Sequence, residues 1–175
     1  MSKKISWILG ILSICSIMYA QDYSMVKGKS INNKIDLSLE SCIWDGKSVI
    51  ITYYLKNNTG KDFKMIYLGT STKWCGDEDG ENTLVIDDLG NNYTGSIKDQ
   101  RYNTYQELNG VKKDRNETHI NVTLPNGIRV KGMYVIYNVD PLAKSFQVVN
   151  IAFTQFGGLC RESSFSFKNL PIYTQ

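Results

Sequence analysis

Residues 35–60 read "IDLSLESCIWDGKSVIITYYLKNNTG", and the spacing of their apolar side chains decides the fold class. Ile35, Leu37, Leu39 and Ile43 share one face of a first strand, with Asp36, Ser38 and Glu40 opposite. A period of two is the mark of a half-buried strand, because successive side chains point to opposite faces of a sheet. Asp45-Gly46 then reads as a hairpin turn, since both residue types tolerate positive φ. Val49, Ile51, Tyr53 and Leu55 line one face of a second strand, which ends at the turn Asn57-Asn58-Thr59-Gly60.

The same period continues to the end of the chain. Phe63, Met65 and Tyr67 alternate in a third strand, and Leu84 and Ile86 mark a fourth that turns at Leu89-Gly90-Asn91 into Tyr93–Ile97. Ile120, Val122 and Leu124 follow, then the turn Pro125-Asn126-Gly127. Met133, Val135, Tyr137 and Val139 form the next face, then Val149, Ile151 and Phe153, then Phe165 and Phe167. About eight or nine short antiparallel strands, separated by Gly/Asn/Asp turns with no crossover helix, imply an all-β sandwich. Residues 98–117 interrupt the pattern as a long polar connection with a helical turn around Tyr105, and loops of that length are commonly functional.

The chain opens "MSKKISWILGILSICSIMYAQD". Lys3 and Lys4, an apolar run from Ile5 to Met18 and the small Ala20 before Gln21 describe a secretory signal peptide over 1–20, too short for a membrane span. A rival reading places a lipid tether on Cys15, although Ile14 is bulkier than a lipobox wants. Residues 21–33 are a polar leader, and 34–175 form one domain. The expected location is exported: periplasmic, cell-surface or extracellular. The full chain holds 20 Lys and Arg against 17 Asp and Glu. Lys3 and Lys4 leave with the signal, so the mature chain is close to neutral and carries no general attraction to nucleic acid or anionic membrane.

Beyond Cys15, the cysteines are Cys42, Cys75 and Cys160. An oxidising compartment suggests one disulfide and one thiol left over. Cys75 and Cys160 both neighbour glycine in loop-like stretches and are the expected pair; Cys42 lies in a strand pattern.

The order "VIITYYLKNNTGKD", "LVIDDLGNNY", "LPNGIRVKGMYVIYNV" and "FSFKNLPI" resembles the bacterial secreted immunoglobulin-like domains, a group that includes an immunoprotective extracellular antigen and many proteins of unassigned role. The matching positions are Asn57, Thr59 and Gly60, then Asp88, Asn92 and Tyr93 around Gly90, then Leu124, Pro125 and Gly127. The resemblance spans about residues 35–172 and rests on turn chemistry. It implies an immunoglobulin-like sandwich and an exported location, and it brings no catalytic residue.

Catalysis has little to work with. His119 is the single histidine, and it falls on the polar side of the strand carrying Ile120, Val122 and Leu124. No nucleophile elbow, zinc motif or phosphate loop occurs, so no enzyme is expected. "WCGDE" (Trp74–Glu78) lacks the second cysteine a dithiol cycle requires. Asp77, Asp79 and Glu81 alternate as hard oxygen ligands around Gly80, with Asp87 or Asp88 able to complete a calcium shell, yet only a fragment of an EF-hand pattern is present. The simpler reading of 73–83 is a charged connection between strands, and no cofactor other than calcium is in view.

Aromatics supply the remaining signal. Trp44 reads as exposed beside its hairpin turn, Trp74 lies in the acidic stretch, and Tyr102 and Tyr105 lie in the long connection. Exposed Trp and Tyr anchor protein contacts or stack on sugars. The expected function is therefore a non-enzymatic binding module that meets a protein or glycan through 73–82 and 98–117, with Trp74, Asp77, Asp79, Arg101, Tyr102 and Tyr105 at the contact. The alternative is a secreted inhibitor or immunity protein that presents the acidic stretch to a basic enzyme.

Overall fold

The computed structural model describes residues 25–26, 34–66, 84–93, 104–112, 121–155 and 162–174. Twelve strands run through them: β1 (Met25–Val26), β2 (Ile35–Trp44), β3 (Ser48–Asn57), β4 (Phe63–Ile66), β5 (Leu84–Asp87), β6 (Thr104–Leu108), β7 (Val111–Lys112), β8 (Asn121–Leu124), β9 (Arg129–Tyr137), β10 (Ser145–Gln155), β11 (Glu162–Pro171) and β12 (Tyr173–Thr174). There is no helix among the described residues.

The strands form two sheets. Sheet I has the order β1-β11-β10-β4-β8, with β5 also paired to β10; sheet II has the order β12-β2-β3-β9-β6-β7. Strand pairing is antiparallel throughout, except that β12 runs parallel to β2. The chain changes sheets near its end: Ile172 N–H donates to Lys144 O at 2.8 Å after β11, and Tyr173 then pairs with Ile43.

Both sheets contribute to one hydrophobic core. Ile35, Leu37, Val49, Ile51, Tyr53 and Leu55 from sheet II are buried with Phe63, Val85, Leu124, Phe146, Val149 and Phe167 from sheet I. Each such aliphatic or aromatic side chain removed from water contributes roughly 1.5–3 kcal/mol, which is why the alternating faces, rather than the turns, carry the stability.

Several expectations need correction. The first strand does not keep one apolar face. Leu39 pairs with Tyr53 while Ser41 pairs with Thr52, so Glu40 is an extra residue and β2 bulges there. A bulge reverses the parity beyond it. Cys42 is therefore the inward residue, fully buried, and Ile43 turns outward. The same reversal makes Trp44 half-buried and packed against the core rather than exposed. Burial pushes the free Cys42 thiol far above its ordinary pKa, so it behaves as an apolar core residue.

In β9 the inward residues are Val130, Tyr134 and Ile136, not Met133 and Tyr137, because Ile51 on the inner face of β3 lies opposite Tyr134. The segment "MYVIY" is apolar at every position, so its period cannot choose a face.

The long connection over 98–117 is not a loop with a helical turn where it is described. Thr104–Leu108 pairs with β9 and turns back at Asn109-Gly110 into Val111–Lys112. Both turn residues have positive φ, 52° and 76°, the signature of a two-residue type I′ hairpin. Within the stretch read as a leader, Met25 and Val26 pair with Phe167 and Ser166.

Candidate functional site

The outward face of sheet II is the feature that sets this molecule apart from a simple half-buried sheet. One row crosses five strands: Tyr173 lies opposite Ile43, Ile43 opposite Ile50, Ile50 opposite Val135, and Val135 opposite Tyr105. Ladder neighbours of this kind sit roughly 4.5–5.5 Å apart and pack on one another. Ile43, Ile50 and Tyr105 are half-buried, Tyr173 is exposed, and Val135 is buried although it points away from the core. The next row, Ser41-Thr52-Met133-Glu107, keeps Met133 beside them.

A polar border flanks this apolar row. Tyr54 lies between Ser38 and Lys131 in the ladder, and the Arg129 guanidinium sits 4.2 Å from its ring centroid. The Tyr54 hydroxyl donates to Glu40 Oε1 at 2.9 Å, while Lys131 Nζ lies 3.3 Å from Glu40 Oε2. Arg129 Nη2 donates to Ser38 Oγ at 3.2 Å. Exposed ion pairs and cation–π contacts each contribute only about 0–1 kcal/mol. Their joint effect is to hold the Tyr54 ring in one orientation. The Glu40 bulge makes this possible, because the extra residue turns a carboxylate towards both partners.

At the other border, the Tyr105 hydroxyl donates to Glu107 Oε2 at 3.3 Å. Partial burial and the adjacent Glu107 carboxylate both raise the Tyr105 pKa, so it stays a neutral phenol at physiological pH.

The carboxylates elsewhere are occupied with the chain itself. Asp87 is fully buried and accepts four hydrogen bonds: Leu89 N–H (2.9 Å), Asn91 N–H (2.8 Å), Asn91 Nδ2 (2.9 Å) and the Tyr93 hydroxyl (2.7 Å). The Tyr93 hydroxyl in turn accepts from Asp140 N–H at 3.0 Å. Burial raises the Asp87 pKa, but these donors outweigh it and hold the group below the usual carboxylate range. Burial, followed by the Asp87 charge, pushes Tyr93 up to about 12 against the contrary pull of the Asp140 N–H. Asp88 plays another part, accepting Lys144 N–H at 3.0 Å and so tying the β5 turn to the start of β10. The hairpin motif thus draws on Asp87 and Asn91 with Tyr93, while Asp88 ties the turn to β10. Both Asp87 oxygens and Asp88 Oδ1 are engaged by turn and strand donors. Among the described residues no group of three or more His, Cys, Asp or Glu is placed to hold a metal.

Asn57 does the equivalent work at the opposite end of β3. Its Nδ2 donates to Lys61 O and Leu124 O, both at 2.8 Å, and its Oδ1 accepts Thr59 N–H at 2.9 Å. Gly127 N–H donates to Asn57 O, and Gly60 N–H donates to Asn126 Oδ1. The Asn-x-Thr-Gly and Leu-Pro-x-Gly turns named from sequence therefore clasp each other.

Of the residues singled out from sequence for partner contact, Tyr105 falls on the outward face of sheet II. Trp74, Asp77, Asp79, Arg101 and Tyr102 lie outside the described residues, as do Glu81, Cys15, Cys75, Cys160 and His119. Ile43, Ile50, Val135 and Met133 went unnoticed as surface candidates. The signal for Ile50 was the apolar run "VIITYYL" and for Met133 and Val135 the run "MYVIY", both of which suit strands covered on both faces, while Ile43 is turned outward by the β2 bulge. Among the described residues no helix is long and apolar enough to cross a membrane. Compared with family models, with curated proteins and with solved structures, the chain matches none.

Proposed function

We propose that this chain is an exported, non-enzymatic binding module, built as an immunoglobulin-like sandwich, that holds a protein partner against the outward face of sheet II. The observation that carries this reading is the row Tyr173-Ile43-Ile50-Val135-Tyr105, apolar and aromatic on the side facing away from the core. A contiguous apolar strip with a polar, hydrogen-bonded border has the composition of an interface centre and rim. Tyrosine suits the purpose because it gives large contact area with few rotatable bonds.

Export rests on residues 1–20, and the sandwich reading rests on the two sheets sharing one core. The non-enzymatic reading is supported by the roles of Asp45, Asp87, Asp88 and Asp140, whose carboxylates accept backbone N–H groups in turns.

The test is the double variant Ile50→Ser with Tyr105→Ala. Affinity for the partner falls tenfold or more if these residues are anchors, in a variant that still unfolds cooperatively at a somewhat lower midpoint. Unchanged affinity in a folded double variant refutes the assignment.

A further inference from the structure

Tyr53, Tyr134 and Gln106 carry polar groups on the inward face of sheet II, well away from Asn57 at the end of β3. Gln106 lies opposite Tyr134 on β9, and Tyr53 lies opposite Gly132, two residues along the same strand and the same face. Tyr53 is fully buried and Gln106 is 2 % exposed. Among the described residues, the Tyr53 hydroxyl, Gln106 Oε1 and Gln106 Nε2 have no hydrogen-bond partner. Buried amides and hydroxyls almost always find a partner, in the protein or in ordered water.

Gly132 explains how Tyr53 approaches the β6 edge of the sheet. A Cβ at this position would collide with the Tyr53 ring and hydroxyl, so the ring lies directly over the glycine. Tyr53 thereby crosses β9 towards β6, where Leu108 faces Gly132 and Gln106 is the next inward residue. Burial, then the Tyr134 phenol, drives the Tyr53 pKa upward.

We propose that Tyr53 and Gln106 bind a buried water molecule beneath the β6–β7 hairpin. The chemistry suits water: Oε1 accepts, Nε2 donates, and the phenol does either, so one water makes three hydrogen bonds to groups that have no other partner among the described residues. The ligand is the solvent itself, and the site is a fixed structural one under the edge of sheet II.

The experiment is a double-mutant cycle in the full chain, Tyr53→Phe and Gln106→Leu, read by denaturation midpoint and combined with a high-resolution crystal structure of the wild type. A bridging water predicts that each single variant lowers the midpoint, because each leaves the other group unpaired. The double variant then loses less than the sum. The crystal structure shows ordered density within hydrogen-bond distance of both groups. If either single variant raises the midpoint, the groups are unsatisfied in the native state and the proposal is overturned. Coupling between the two sites, with a direct Tyr53–Gln106 hydrogen bond and no water in the density, overturns it equally.

Discussion

Asp87 gathers backbone and side-chain donors on one buried carboxylate. It holds two N–H groups of its own turn, the Asn91 amide and the Tyr93 phenol, and through Tyr93 it reaches Asp140. Replacing Asp87 by Ala leaves these donors unpaired in a buried place, at a cost of about 2–4 kcal/mol. Its pH dependence follows from the direction of its shift. Because the folded pKa is depressed, the stabilisation is complete above the unfolded carboxylate value near ~4 and disappears as pH falls through the folded value. A urea titration across pH 2–7 should show the wild type weakening below about pH 4. Asp87→Asn should start less stable at pH 7 and lack that part of the acid loss. An acid profile identical in the two proteins would contradict this role. Asp, Gly, Asn and Tyr were legible as a hairpin motif. Which Asp is buried under the turn was not, since Asp87 and Asp88 offer the same chemistry at neighbouring positions and only the backbone path separates them.

Strands read best from sequence where one face alone was apolar. Eight of the twelve, β2, β3, β4, β5, β8, β9, β10 and β11, coincide with segments read as strands from sequence, although in β3 and β9 both faces are apolar and the inward one was not fixed for β9. β1 and β12 are two residues long, too short to show any period. The β6–β7 hairpin was hidden by its polar surroundings, although Leu108-Asn109-Gly110-Val111 carries the turn pair most characteristic of a type I′ hairpin. That turn is directly testable. Gly110 has φ of 76° with open space around it, so Gly110→Ala suffers backbone strain without a clash and should cost about 1 kcal/mol. For a domain of this size, the thermal midpoint should fall by about 2–4 °C. A stabilised Gly110→Ala protein would mean that the turn is not formed. The β2 bulge was illegible for a different reason. Nothing in "LESC" distinguishes an extra residue from a continued alternation, and only the partner strand fixes where register slips.

At the scale of the whole molecule, two sheets bury one core and leave sheet II with a second apolar surface. Expectation from sequence placed the contact region on 73–82 and 98–117, guided by charge and exposed aromatics. Of those positions, Tyr105 is the described residue that falls on the proposed surface, and it does so as part of a strand. The rest of that surface comes from β2, β3, β9 and β12, where apolar residues naturally read as core. Sequence could not separate the two faces of "VIITYYL", because both are apolar.

The claim that sheet II carries the partner is tested most directly by site-specific photocrosslinking in the producing cells. A photoreactive side chain is placed at Ile50 or Tyr105 on the outward face, and at exposed Lys168 on β11 of sheet I as the control. The account predicts one discrete adduct from positions 50 and 105, and none of that mass from 168. The same adduct from all three positions, or an adduct from 168 alone, would contradict it.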